Sequence, residues 1–131
     1  MFPQTQHILV IDSDEQRRRL SEEVLSAEGF AVTAVADGFS AIRAASAQHY
    51  ALAVAALRLP GTLDGPGTLR QLRARQPALK ALYTGELAAR AARPERVCDE
   101  FISVPFDRRE LLGCVFELLQ REAPSAASVA D

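Results

Sequence analysis

Few residues in this chain combine a reactive side chain with a place from which it could act. The densest polar group is Asp12-Ser13-Asp14-Glu15, directly after the apolar run His7-Ile8-Leu9-Val10-Ile11. A loop that cradles phosphate needs glycine or threonine at that point, and an acidic run is its electrostatic opposite. A nucleotide- or flavin-binding enzyme is therefore not expected. Nucleophilic Ser or Cys chemistry lacks a partner set, because His7 and His49 precede apolar runs while Cys98 and Cys114 lie far along the chain. No ligands are spaced for zinc. What remains are the residues that close the apolar runs: Asp12-Ser13, Ala55-Ala56, Thr84-Gly85 and Val104-Pro105.

Their positions follow from an alternation of short apolar runs with longer segments of helical period, the pattern of β/α units on a parallel sheet. The runs His7–Ile11, Phe30–Val35, Ala51–Ala55, Leu79–Tyr83 and Phe101–Val104 are read as five strands. Helices are expected from about Glu15 to Glu28, with Leu20, Val24 and Leu25 one turn apart, and from about Ser40 to Gln48 on a stripe of Ala41, Ile42 and Ala45. A third is expected near Gly67 to Arg75, stopped by Pro77, and a broken one within Glu86 to Asp99, interrupted at Arg93-Pro94. Asp107 and Glu110 form an Asp-x-x-Glu capping box on a last helix reaching about Arg121. Five such units with right-handed crossovers make an open α/β fold, a doubly wound parallel sheet whose functional crevice lies at the carboxyl ends of the strands.

Composition sets the outer bounds. The 131 residues are 48% hydrophobic and 24% charged, which suits one globular domain. That domain is assigned to residues 1–121, with 122–131 as a mobile C-terminal tail. Fifteen basic against seventeen acidic residues give a net charge of -2, so nucleic acid is not an expected partner. No apolar run approaches the roughly 20 residues of a membrane span, and the start lacks a secretory pattern. A cytoplasmic protein with reduced thiols, away from membranes, is expected.

Taken together, Ile8-Leu9-Val10-Ile11-Asp12, Val35-Ala36-Asp37-Gly38, Leu57-Arg58-Leu59-Pro60-Gly61, Leu63-Asp64-Gly65, Tyr83-Thr84-Gly85 and Pro105-Phe106-Asp107 resemble, in order and spacing, the receiver domain of bacterial response regulators. The resemblance covers about Gln6 to Gln120 and implies a flavodoxin-like (βα)5 α/β fold with strand order 2-1-3-4-5. It also implies phosphoryl transfer from a kinase histidine to an aspartate ending the third strand. Such a site uses an acidic pair for Mg²⁺, a hydroxyl after the fourth strand and a lysine after the fifth. Matched by position, Asp12 is the first acidic residue and Thr84 the hydroxyl. Ser13 replaces the second acid, Ala56 the phosphoacceptor and Val104 the lysine. Phe101 matches the aromatic that switches with Thr84.

Three of five pocket positions are thus changed, each to a residue unable to do the family's chemistry. The Ala56 methyl has no lone pair for in-line attack on phosphorus. One carboxylate and a serine hydroxyl make a weak Mg²⁺ site, so metal binding is expected to be weak or absent. An ammonium at position 104 would attract a phosphoryl charge 4 Å away by roughly 4 kcal/mol at an effective dielectric near 20, and Val104 forfeits that. Relief of carboxylate repulsion is the structural counterpart of these losses. Asp12, Ser13 and Asp64 are the alternative acceptors, although Ser13 also reads as a helix cap and Asp64 as a turn residue. Without a phosphoryl group, Thr84 is read as a fixed hydroxyl bonded to backbone and Phe101 as a buried ring, with a switch driven by partner binding as the alternative.

The expected product is a stand-alone degenerate receiver with no catalytic residues and no cofactor, acting through protein–protein contacts in two-component or phosphorelay signalling. A histidine kinase or another signalling protein is the expected partner, with a homodimer through the last two helices as a further possibility. Phe116 at the edge of the stripe Leu111, Leu112, Val115, Leu118 and Leu119 is the first interface candidate. Phe39 and Cys114 are the others. Arg17-Arg18-Arg19 reads as a solvated helix face.

Overall fold

A computed structural model describes residues 5–86 and 100–121. The expected broken helix of 86–99 and the tail of 122–131 lie outside the described residues, Glu86 excepted. Five parallel strands form one sheet, as the sequence pattern implies, in the order β2-β1-β3-β4-β5, as the resemblance implies. They are β1 (His7–Ile11), β2 (Ala31–Val35), β3 (Leu52–Ala56), β4 (Lys80–Gly85) and β5 (Glu100–Ser103). The described helices are α1 (Glu15–Ala27), α2 (Gly38–Ala47), α3 (Gly65–Arg75) and α4 (Arg108–Gln120).

Side chains alternate across the sheet, and each face feeds its own core. Leu9, Ile11, Ala53, Ala55, Ala81 and Tyr83 pack against Ala41, Ala45, Leu69 and Leu72 of α2 and α3. Ile8, Val10, Leu52, Val54 and Leu82 pack against Val24 and Leu25 of α1 and Leu111, Val115 and Leu118 of α4. The small side chains of β3 leave room on the first face for the buried rings of Tyr50 and Tyr83. Leu20 departs from the expected α1 stripe. It is 38% exposed, and the small Ser21 takes the buried place beside Val24 and Leu25.

All four described helices begin on an aspartate whose side chain accepts a backbone N–H of the first turn. Asp14 accepts from Arg17, Asp37 from Ser40, Asp64 from Gly67 and Asp107 from Glu110. The capping box on α4 is complete, because Glu110 Oε1 accepts the Asp107 N–H at 3.0 Å. These caps move the expected starts of α2 and α3 two residues earlier. They also correct Ser13, which is exposed and precedes the actual cap. Orphan N–H groups at a helix start draw the carboxylate form. Accordingly, the backbone bonds to Arg17 and Ser40 hold the carboxyls of Asp14 and Asp37 below their usual value.

The amino end of the sheet is closed by side chains that the sequence pattern did not single out. Buried Gln76 accepts the Tyr50 N–H at 2.9 Å and donates to the carbonyls of Ala45 and Gln48 at 3.0 Å each. It therefore ties the end of α3 to the end of α2 and the start of β3. Lys80, the one lysine of the chain, is buried and its ammonium donates to the carbonyls of Leu119 and Arg121. Those are terminal carbonyls of α4, where a cation also meets the negative end of the helix dipole.

Candidate functional site

At the opposite end, the crossovers deliver the tips of β1, β3, β4 and β5 to one place. Ala56 closes β3 and pairs in register with Thr84 of β4. The Gly65 N–H donates to the Leu57 carbonyl at 3.0 Å, so α3 starts directly on the end of β3. A Cβ at position 65 would collide with the Ala56 carbonyl and the Leu57 backbone, which is why glycine stands there. The peptide between Val104 and Pro105 is cis. Ala56, Thr84 and Val104 line a single cavity of about 150 Å³, together with Leu57, Gly85, Arg17, Arg58 and Glu86.

Asp12 lies beside this cavity, only 4% exposed, and its carboxylate is fully engaged by the chain itself. Arg17 Nε donates to Oδ2 at 2.7 Å and Nη2 to Oδ1 at 3.2 Å. The Asp14 N–H donates to Oδ1 at 2.9 Å, and Arg18 Nη1 donates to the Asp12 carbonyl at 2.9 Å. A planar guanidinium against both carboxylate oxygens is a strong charge-assisted geometry. It accounts for the direction of the Arg17 shift: its hydrogen bond to Asp12 raises the pKa against the opposing effect of burial. The expected solvated arginine face is thus corrected for Arg17 and Arg18. One turn of helix returns both side chains to the loop before α1, a pairing that helical spacing alone conceals.

The pocket polar groups differ in how well they are satisfied. Thr84 is 2% exposed and lines the cavity, and the expected bond of its hydroxyl to backbone is not formed among the described residues. Arg58 is exposed on the cavity rim and makes no ion pair among them. Ser13 does not line the cavity. Asp64 is exposed, caps α3 and does not line it either. The Mg²⁺ that the resemblance brings with it does not fit these residues. Asp12 has both carboxylate oxygens engaged by the chain, Glu86 is an exposed carboxylate on the cavity rim, Ala56 offers no side-chain oxygen, and no group of three His, Cys, Asp or Glu suited to a metal occurs among the described residues.

Phe101 of β5 sits half-buried beside Tyr83 in register and packs on the core of the α2/α3 face. Phe116 remains 41% exposed, yet its ring lies 5.9 Å from that of Phe30 at 41°. Phe39 is the most open large apolar side chain at 56%. Cys114 is half-buried, and burial, followed by Glu100, Glu117 and Glu110, pushes its thiol pKa up. Sequence reading missed Leu20, which with Val104, Pro105 and Phe106 walls a groove of about 350 Å³ on the other side of Arg17. No described helix is long and apolar enough to cross a membrane.

Comparison with known proteins agrees with this geometry. A family model described as response regulator receiver domain matches residues 8–116. Protein PetR of Rhodobacter capsulatus is 34% identical over 88% of this chain and 49% of its own length. Regulatory protein VirG of Rhizobium rhizogenes is 36% identical over 95% and 52%. The chain therefore spans about half the length of these curated relatives. Among solved structures, the receiver domain of a sensor histidine kinase from Pseudomonas aeruginosa, with magnesium in its active-site cleft, superposes with a TM-score of 0.79. It is 27% identical and covers 90% of this chain and all of that one. NtrX of Brucella abortus in complex with ADP gives a TM-score of 0.82 at 26% identity, over 89% of this chain and 27% of that one.

Proposed function

We propose that this chain, which belongs to the response regulator receiver domain family of two-component signalling, acts by binding a signalling partner and carries out no phosphoryl transfer on an aspartate. The observation that carries the reading is the bidentate pair between Arg17 and Asp12, with Nε at 2.7 Å from Oδ2. The carboxylate that would otherwise recruit a metal is neutralised by the chain's own guanidinium. Ala56 and Val104 supply neither nucleophile nor cation beside it. Thr84 then has no phosphoryl oxygen to follow, and Phe101 keeps one half-buried position. The protein is on this reading not an enzyme.

The alternative acceptors are poorly placed for attack. Asp12 is held by Arg17, Ser13 is exposed away from the cavity, and Asp64 caps α3. For partner binding, Phe116 and Phe39 offer exposed apolar area, and Leu20 adds a groove wall beside Pro105 and Phe106. A histidine kinase, another signalling protein or a second copy through the last two helices is the proposed class of partner. Intact mass after incubation with a small acyl phosphate and Mg²⁺, beside Ala56→Asp, tests this reading. An unmodified native chain is expected. A single phosphoryl adduct on it would overturn the reading.

A further inference from the structure

Beyond the loss of phosphoryl transfer, and resting on that reading, we propose that the pocket has become a binding site for a small carboxylate, held reversibly and without metal. The acid of a partner's Asp or Glu side chain and a free short-chain carboxylic acid share this chemistry.

Four observations converge on it. The cavity of about 150 Å³ is large enough for a carboxylate with a short alkyl stub. Its floor is apolar where Ala56 and Val104 stand, which suits the stub. Thr84 is 2% exposed, lines the cavity and carries a hydroxyl with no hydrogen-bond partner among the described residues. The hydroxyl opens to the cavity and can donate to an acceptor that enters it. At the rim stand two guanidiniums, and they are not equivalent. Arg17 is compensated by Asp12, whereas Arg58 has no ion pair among the described residues.

Charge decides which anion fits. Arg17 is balanced by Asp12 and Arg58 faces Glu86 on the same rim, so the described lining carries no surplus positive charge of the kind a dianion needs. Such a balance suits a monoanion over a phosphate dianion. A carboxylate can also lie flat against a guanidinium fork while accepting the Thr84 hydroxyl.

The test is an amide-shift NMR titration of the native chain with propionate, with phosphate and chloride at matched ionic strength as competitors, in metal-free buffer. Saturable shifts at the amides of Leu57, Thr84 and Gly85 are expected with propionate and not with chloride. Arg58→Gln changes an exposed side chain, so the fold is kept, and it should weaken binding by about tenfold. Thr84→Val should weaken it several-fold, and Ala56→Asp should abolish it by placing a fixed carboxylate in the cavity. An acidic peptide tested in parallel separates a partner side chain from the free acid. Absence of saturation, equal binding by Arg58→Gln, or tighter binding of phosphate would each overturn the proposal. None of these results requires a covalent adduct, so mass spectrometry of the same sample reports separately on the underlying reading.

Discussion

The two ends of the sheet have been treated differently by the sequence. At the amino end, buried polar groups are tied to backbone: Gln76 bridges Tyr50, Ala45 and Gln48, and Lys80 closes the end of α4. At the carboxyl end, one carboxylate is matched by one arginine, while Thr84 and Arg58 line an open cavity. The first arrangement holds elements together and the second leaves groups available. A buried network whose members are all satisfied specifies the fold, and a cavity rim can change residue by residue without disturbing it. The contrast explains how Ala56, Ser13 and Val104 coexist with an intact receiver architecture.

The contrast breaks most visibly at Gln76. Replacing it by alanine leaves the buried Tyr50 N–H without its acceptor and should cost about 3 kcal/mol, read as a lower urea midpoint with an unchanged slope. Because an amide does not titrate, the loss should be the same at pH 5 and pH 8. A smaller effect is expected at the other end from Arg17→Ala. Its side chain is 32% exposed, so solvent screens the pair and about 1–2 kcal/mol is expected by the same measurement. Arg17→Lys should recover only part of it, since an ammonium cannot reproduce the two-point contact.

Asp37→Ala should cost about 1 kcal/mol at neutral pH by removing the cap on α2. Its carboxyl lies below the usual 3.8, chiefly through the Ser40 N–H. The sign follows from linkage: a depressed carboxyl stabilises above 3.8 and the contribution fades as pH falls through the lower, folded value. The gap between native and variant should therefore narrow on acidification below that point, in parallel urea titrations. Least affected should be Thr84→Val, which replaces a hydroxyl without a described partner by an isosteric methyl. Its midpoint should stay within about 0.5 kcal/mol of native.

Much of this was legible from residue order. Five apolar runs set the five strands to within one or two residues, because the central strands β1, β3 and β4 are buried on both faces and the half-buried edge strands β2 and β5 still carry mostly apolar side chains. The Asp107–Glu110 box was readable for the same local reason. The aspartate caps of α2 and α3 were harder, since Asp37-Gly38 and Asp64-Gly65 look like turns until the helix that follows is seen to begin on the glycine. The pocket membership of Ala56, Thr84 and Val104 came from matched spacing. The return of Arg17 onto Asp12 did not, because long side chains reach contacts that periodicity assigns to solvent. Gln76 and Lys80 were illegible for a related reason: their partners are backbone carbonyls and amides, which carry no residue-specific signal.

On the proposed reading, Arg17 holds the place of the cation at Asp12. That reading is tested most directly by titrating Mg²⁺ into the native chain and into the Arg17→Ala, Ala56→Asp double variant, following the amides of Asp12, Ser13 and Thr84 by NMR. No saturable shift is expected in the native chain at millimolar Mg²⁺, and saturation is expected in the double variant, where the arginine is gone and a carboxylate is supplied at position 56. Saturable native shifts at the same concentrations would mean that Mg²⁺ displaces Arg17 readily, and would contradict that reading.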